Sequence, residues 1–245
     1  MGVFFSKGWD RAPFVLFESA HLVILIVIAV VNLWMLRFRG APESTLKAVR
    51  WTMAIVLWVN EASWHVWNLY LGTWNIQTML PLHMCSVLIW LSGFMLVFKN
   101  YTIYEFVYFL GIGGGLQALL TPDVGIYNFP HFRFLQAFVG HGLLVTSGIY
   151  MTTVEGFRPT WKSMLRVVVL SNIYMVIIFF VNSAIGSNYL MVNGKPNLKS
   201  ILDLLPAWPY YLIYVEVIAI ITFLLLYLPF IIRDWRARRV TAPAD

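Results

Sequence analysis

Charge and cysteine are both scarce in this chain. Only 11% of the 245 residues are charged, whereas 60% are hydrophobic, and the mean hydropathy is +0.75. A soluble domain carries about 25% charged residues, so the composition excludes a soluble protein and indicates a polytopic membrane protein. The single cysteine excludes an internal disulfide and a cysteine-rich metal site.

Long apolar runs dominate what is present. Seven of them can each cross a hydrocarbon core of about 30 Å at about 1.5 Å per helical residue. They cover residues 14–36, 49–71, 82–98, 102–120, 131–154, 163–185 and 209–232. Because no repeat, low-complexity tract or soluble domain interrupts them, we predict an all-α fold, a single seven-transmembrane-helix bundle over residues 1–245.

The distribution of Lys and Arg predicts the orientation, because positive residues near span ends stay on the cytoplasmic side. With seven spans, twelve of the 17 Lys and Arg residues fall on the side of the C-terminus and five on the other. The N-terminus is then outside, and residues 233–245 form a basic cytoplasmic tail. We read the formal charge of +6 as this topology signal and predict no nucleic-acid partner.

Three further features complete the predicted layout. Residues 1–13 mix aromatic and charged side chains, which is typical of an interfacial segment. They lack a small-residue cleavage site after a short apolar core, so no cleavable signal peptide is expected. Residues 186–207 form a long outer loop. We expect a multi-pass integral membrane protein, and the oligomeric state stays open.

The only cysteine stands in Leu80-Pro81-Leu82-His83-Met84-Cys85-Ser86, at the predicted start of a short apolar helix. Pro81 suits a first helical position, and the free backbone N–H groups of a first turn favour a nearby anion. These groups and the imidazole of His83 favour the thiolate form of Cys85. The alternative for a lone cysteine in an apolar helix is a small buried hydrophobic side chain.

Polar side chains from most of the predicted spans fall at one depth. Cys85 and His141 each lie 13 residues from the inner end of their spans, about 20 Å above the inner boundary. The same count places five more residues about 18–24 Å above it: Glu61, His65, Gln117, His21 and Glu216. Independent clamps between helices scatter in depth, so we predict a cavity that an amphiphile enters from the outer leaflet.

These residues satisfy the requirements of acyl transfer. Cys85 is the candidate nucleophile, and His141 is the candidate base that takes the thiol proton. Supporting roles, as oxyanion donors or orienting groups, fall to His83, Gln117, Glu61, His65 and Asp123. Candidate substrate-binding residues are His131, Arg133, Asn182, Tyr189, Lys195 and Glu216. The expected substrate is an amphiphile, and no cofactor is required.

Two other chemistries stay open. The first is a zinc-dependent hydrolase, for which the ligands would come from His65, His83, His131 and His141 with Glu61 or Asp123, although no HExxH spacing is present. The second is a lipid carrier or transporter that uses Glu61 and Glu216 for protons, which the lack of an inverted repeat disfavours.

Several short motifs together resemble the YwaF family of integral membrane proteins. They are Asn60-Glu61 with Trp64-His65, the Leu80 to Cys85 stretch, Gln117-Ala118-Leu119 with Thr121-Pro122-Asp123, and Phe129-Pro130-His131-Phe132 with Phe138 and His141. In the outer loop they are Asn188-Tyr189, Lys195-Pro196, Ser200, Leu202-Asp203 and Trp208-Pro209. These motifs run from the second to the seventh span.

The YwaF family is similar to the animal transmembrane protein 164, an acyltransferase that moves an acyl chain from a phospholipid to a lysophospholipid with a Cys and a His. The resemblance implies the cysteine role for Cys85 and the histidine role for His141. It also implies a phospholipid or lysophospholipid substrate and, because the YwaF family is bacterial, a bacterial cell membrane. The YwaF family is also similar, more remotely, to androgen-induced membrane hydrolases of fatty-acid esters. Ester hydrolysis is therefore the nearest alternative to acyl transfer.

Overall fold

The computed structural model describes residues 3–196 and 201–241, which contain helices and no strand. The helices are α1 Ser19–Met35, α2 Glu43–Tyr70, α3 Met84–Phe98, α4 Tyr101–Phe106, α5 Ile112–Leu120, α6 Phe132–Thr153, α7 Trp161–Ile185 and α8 Tyr211–Thr241. A π-helical segment, Val107–Gly111, joins α4 to α5. The all-α prediction is confirmed. Ser200 of the outer loop and residues 242–245 of the predicted tail lie outside the described residues.

Five helical runs of the described chain are long and apolar enough to cross a membrane: Ser19–Phe38, Tyr101–Leu120, Phe132–Thr153, Trp161–Ile185 and Tyr211–Ala237. The α3 helix is apolar but has only 15 residues. The 28-residue α2 helix carries more polar side chains and is not among the five. These helices support a multi-pass membrane protein. The seven-span count and the outside N-terminus stay predictions.

Ion pairs tie the helices together at one end of the bundle. Arg50, in the second turn of α2, pairs with Glu43 at 2.6 Å and with Glu155, which follows α6. Lys99, which follows α3, pairs with the same Glu155 at 2.6 Å. Arg166 of α7 pairs with Glu105 of α4, also at 2.6 Å. Because the Arg50 and Glu155 side chains are 4% and 2% exposed, removing one partner would leave a buried charge uncompensated.

Glycines allow α2, α3 and α6 to approach closely in the other half of the bundle. A Cβ atom at Gly140 of α6 would lie 2.8 Å from the side-chain amide nitrogen of Asn60 on α2. That amide donates a hydrogen bond to the backbone carbonyl of Gln136 at 3.1 Å. On α3, a Cβ atom at Gly93 would overlap the indole ring of Trp58. The backbones of α2 and α6 are therefore held together beside the N-terminal part of α3.

The N-terminal segment packs on the protein. The Trp67 indole of α2 donates to the Phe5 carbonyl at 3.0 Å, and a ring nitrogen of His131 lies 3.0 Å from the Ser6 carbonyl. The Tyr127 hydroxyl donates to the Lys7 carbonyl at 2.6 Å. His131 is the N-cap residue of α6 and accepts a hydrogen bond from the backbone N–H of Arg133. The N-terminal segment therefore contacts both the start of α6 and the end of α2.

The outer loop anchors the chain just before α3. The Tyr189 side chain is fully buried, and its hydroxyl accepts from the Leu80 N–H at 2.8 Å and donates to the Ile76 carbonyl at 2.7 Å. The Asn182 amide of α7 bonds both the backbone N–H and the backbone carbonyl of Tyr189. The backbone at His83 is still extended, and α3 begins at Met84. The expectation that Pro81 is the first helical residue is therefore wrong, because a turn at Leu80 and Leu82 precedes the helix.

Candidate active site

A small polar cavity of about 150 Å³ lies between α2, α3 and the first half of α6. Its walls include Cys85 and His141, which the sequence places on separate helices, together with His83 and Glu61. The complete lining is Glu61, Trp64, His83, Cys85, Ser86, Ile89, Arg133, Gln136, Ala137, Gly140 and His141. We call this space the polar cavity.

The thiol of Cys85 enters the polar cavity from the first turn of α3, where Cys85 is the second residue and is half-buried. His83 is the N-cap residue of this helix, and its Nδ1 accepts a long hydrogen bond of 3.4 Å from the Leu190 N–H. Its ring also packs edge-on against Tyr189. The outer loop thus orients His83 beside the thiol. The Glu61 carboxylate faces the same cavity, and its negative charge opposes a second negative charge on the sulfur. The thiol therefore needs a neighbouring base that accepts its proton as it attacks.

His141 is oriented as such a base. Its Nδ1 lies 2.9 Å from the Ala137 carbonyl of the preceding turn. Because a carbonyl oxygen only accepts, this contact assigns the proton of the neutral ring to Nδ1 and leaves the lone pair on Nε2. The described residues offer Nε2 no hydrogen-bond partner, and the ring lines the polar cavity. The imidazole can therefore take a proton inside the cavity.

Two charged side chains face the polar cavity without pairing with each other. The Arg133 guanidinium donates to the Gln136 side-chain oxygen and the Asp123 carbonyl, each at 2.6 Å, and lies 4.3 Å above the Trp64 ring. No carboxylate within the described ranges forms an ion pair with it. The Glu61 side chain is 2% exposed, and its Oε1 has no hydrogen-bond partner.

A second space adjoins Cys85 on the other side. This apolar cavity, of about 430 Å³, lies between α3, α5 and α8 beneath residues 202–205. Its volume is within the range of about 300–1,000 Å³ that is usual for ligand pockets. Most of its lining is aliphatic or aromatic: Met84, Cys85, Leu110, Gly113, Gly114, Gln117, Leu202, Leu204, Leu205, Val215, Ile218, Ala219, Thr222 and Phe223. Cys85 is the residue that both cavities share.

Gly114 creates part of the apolar cavity. A Cβ atom at this position would meet no atom within 4 Å, whereas one at Gly115 would lie 2.7 Å from the Val145 side chain. The first glycine thus faces open space, and the second allows α5 to approach α6 closely. Gln117 lies one turn further along α5 and places its side chain in the same cavity.

Three of the predicted supporting residues lie outside the polar-cavity lining, and one of these, Gln117, lines the apolar cavity instead. The His65 Nδ1 accepts a hydrogen bond of 3.2 Å from the Trp74 indole. The Asp123 side chain is exposed, and its backbone carbonyl is the group that holds Arg133.

The remaining predicted substrate-binding residues make structural contacts. His131 begins α6 and contacts the N-terminal segment, whereas Asn182 and Tyr189 organise the outer loop. The Lys195 ammonium donates to the Leu205 carbonyl at 2.7 Å, beside the roof of the apolar cavity. Glu216 accepts a hydrogen bond of 2.9 Å from Asn172 in a third cavity between α7 and α8. Of the six predicted substrate-binding residues, Arg133 lines the polar cavity.

Sequence reasoning missed three kinds of contributor. Ser86 lines the polar cavity beside Glu61 and directly follows Cys85, so its position was visible in the motif. Trp64 supports Arg133 from the turn after Glu61 on α2. The roles of Gly114 on α5 and of the α8 residues that line the apolar cavity could not be predicted. A cavity between two helices that are distant in sequence leaves no periodic pattern in the sequence of either helix.

The histidines do not gather into a metal site in the described part of the chain. There, no three side chains of His, Cys, Asp or Glu are grouped to hold an ion. His65 and His131 are engaged with Trp74 and Ser6 respectively. The geometry therefore gives no support to the zinc-dependent alternative.

An all-helical, multi-pass membrane protein with a thiol and an imidazole in one buried cavity is the class that these observations define. The family described as the TMEM164 family matches residues 16–227, which is most of the chain. The chain therefore belongs to the TMEM164 family. No curated protein and no solved structure matches it.

Proposed function

We propose that this chain is an intramembrane acyltransferase that moves a fatty acyl chain between phospholipids through a thioester on Cys85. The observation that carries the proposal is the position of Cys85 between the polar cavity and the apolar cavity. A thiol at this boundary can attack an ester whose acyl chain occupies the apolar side while its glycerol and headgroup occupy the polar side. Membership of the TMEM164 family is compatible with a lipid-related function.

In the first half-reaction, His141 Nε2 takes the Cys85 proton as the sulfur attacks the ester carbonyl carbon. The carbonyl oxygen becomes an oxyanion, and we assign its stabilisation to the free N–H groups of the first turn of α3 and to the side chains of His83 and Gln117, which line the two cavities. The C–O bond then breaks, and the imidazolium returns the proton to the leaving alkoxide. A lysophospholipid departs and the acyl chain stays on sulfur.

The second half-reaction reverses these roles. A lysophospholipid hydroxyl enters the polar cavity and gives its proton to His141 as its oxygen attacks the thioester carbon. The C–S bond breaks, and the imidazolium reprotonates the Cys85 thiolate. The acyl chain has then moved to a new glycerol oxygen without any cofactor.

Hydrolysis is the second candidate, and the size of the polar cavity favours it. At about 30 Å³ for each molecule, a cavity of about 150 Å³ has room for several waters next to the thioester. Water would then replace the lysophospholipid in the second half-reaction, and the product would be a free fatty acid. The residues and their roles are otherwise the same.

The proposed setting rests on predictions from the sequence. With seven spans and the N-terminus outside, the polar cavity would lie in the outer half of the membrane, which we propose to be a bacterial cell membrane. This arrangement, together with membership of the YwaF branch of the family, is part of the proposal.

Mass spectrometry of the purified protein after incubation with mixed phospholipids tests the function. We expect an acyl adduct on Cys85 that hydroxylamine removes, and that is absent from the Cys85→Ala variant. Added lysophospholipid should discharge the adduct into a new phospholipid, whereas a hydrolase would release fatty acid at the same rate without it. Absence of the adduct from a folded protein that turns lipid over would reject the thioester route.

A further inference from the structure

Arg133 and Glu61 are two opposite charges that face one cavity without contacting each other. Each is held in place by neighbours that leave it incompletely compensated. The guanidinium of Arg133 has an amide oxygen and a backbone carbonyl as acceptors, but no carboxylate of the described residues as an ion-pair partner. Glu61 is almost completely buried, with Oε1 unbonded.

Such an arrangement is energetically costly by itself. A buried oxygen of a carboxylate without a donor loses its hydration and gains nothing in return. Two opposite charges would lower this cost by pairing directly, yet Arg133 instead lies over Trp64 and bonds to Gln136 and Asp123. The space between Arg133 and Glu61 is the polar cavity itself, so a molecule that enters it meets both groups.

We propose that Arg133 binds the phosphate of the lipid substrate and that Glu61 selects a headgroup whose net charge is zero. This inference rests on the proposed function, because it assigns the headgroup side of the same site. A guanidinium presents paired N–H donors that match the oxygens of a phosphate. The phosphate lies a few bonds from the ester carbon, so its capture at Arg133 brings that carbon towards Cys85.

Charge balance explains the role of Glu61. Arg133, Glu61 and a zwitterionic headgroup with a phosphate and an ammonium group sum to zero. An anionic headgroup without the ammonium leaves an excess negative charge beside Glu61. Between the protein walls of the polar cavity such an excess is unfavourable, because like charges there are screened less than in bulk water. The ammonium group would also give Oε1 of Glu61 the donor that it lacks.

The first test compares phosphatidylethanolamine with phosphatidylglycerol carrying identical acyl chains. Binding is measured by native mass spectrometry on the Cys85→Ala protein, so that it does not depend on turnover. We expect the protein to prefer phosphatidylethanolamine by about tenfold or more. Glu61→Gln keeps the shape of the side chain and removes its charge, so this ratio should fall by about tenfold and approach or pass equality. Glu18→Gln, a change at an exposed carboxylate near the start of α1, is the matched control and should keep the original ratio.

The second test separates the phosphate from the rest of the lipid. Arg133→Gln should lower acyl transfer from phosphatidylethanolamine by about tenfold or more, with little effect on transfer from diacylglycerol, which has no phosphate. Arg133→Lys keeps the charge but loses the paired donors, so it should restore part of the loss. Arg37→Gln, at an exposed arginine after α1, is the control.

Each outcome separates the two proposals. An unchanged lipid ratio in Glu61→Gln, or an equal loss with both donors in Arg133→Gln, would overturn the headgroup assignment. Acyl transfer through Cys85 would stand in that case. If no donor acylates Cys85 but the charge-dependent lipid binding is observed, the acyltransferase proposal fails and the headgroup site remains.

Discussion

The two cavities that meet at Cys85 differ in volume and in the chemistry of their walls. The polar cavity holds two charged groups, two imidazoles and a hydroxyl in about 150 Å³, whereas the apolar cavity has almost three times that volume and mostly aliphatic walls. One side can orient groups and move protons, and the other can hold a long chain that offers nothing to hydrogen-bond. The comparison teaches that, among the described residues, Cys85 lies where the two kinds of wall meet, which is what the proposed acyl transfer requires.

The largest expected effect comes from removing the atom that the two cavities share. Cys85→Ala should abolish the acyl adduct and lower transfer by at least about 10³-fold, because the sulfur that carries the acyl chain is lost. Stability should change by only about 1 kcal/mol, since a small half-buried side chain is shortened by one atom. Turnover and the thermal unfolding midpoint measure the two effects. Retention of more than a tenth of the activity in Cys85→Ala would show that Cys85 does not carry the acyl chain.

The next effect is confined to the polar cavity. His141→Gln should reduce acyl transfer by about 10²–10⁴-fold, because the base that takes the thiol proton is lost. Transfer should recover in part as pH rises and hydroxide converts more thiol to thiolate. His65→Gln removes a histidine that bonds Trp74 outside the cavity lining, and its loss should stay below about tenfold. Equal losses of acyl transfer in the two variants would contradict the assignment of His141 as the base, because a histidine outside the polar cavity would then matter as much.

A smaller effect is expected on the apolar side. Gly114→Leu places a side chain in open space within the apolar cavity, so transfer of long acyl chains should fall by about tenfold or more while short chains are little affected. Leu116→Phe adds similar bulk on an exposed face of the same helix and serves as the control. Competition between long-chain and short-chain donors gives the ratio. A uniform loss across chain lengths would place the acyl chain elsewhere.

The smallest effect should follow a change in the third cavity, between α7 and α8. Glu216→Gln keeps the hydrogen bond with Asn172 possible and touches neither cavity at Cys85. Acyl transfer should change by less than about threefold, because an amide oxygen can still accept the hydrogen bond from Asn172 at a modest energetic difference. The same turnover assay measures it. A loss as large as that in His141→Gln would mean that the third cavity belongs to the site.

Residues of the polar cavity were easier to predict from the sequence than residues of the apolar cavity. A cysteine near a helix start, and a histidine at the same depth on another helix, are visible because each residue type is rare in an apolar run. The structure brings both to the polar cavity. Their depth could be counted because a helix rises by a constant amount for each residue.

Other features could not be predicted for physical reasons. The apolar cavity arises where α5 and α8 fail to fill the space between them, and the pattern of neither helix encodes the gap. His131 and Asn182 looked like substrate ligands because buried polar residues in a membrane protein suggest function. The structure gives them contacts with the backbone of Ser6 and of Tyr189, and the sequence does not reveal such contacts because any residue type can supply a backbone group.

The contacts of the N-terminal segment have a practical consequence. The carbonyl groups of Phe5 and Ser6 bond to Trp67 and to His131, the residue at which α6 begins. Arg133 and His141 follow on that same helix. A purification tag fused immediately before Val3 would compete for the surface that orients them, so an affinity tag belongs after α8 or on a long N-terminal spacer.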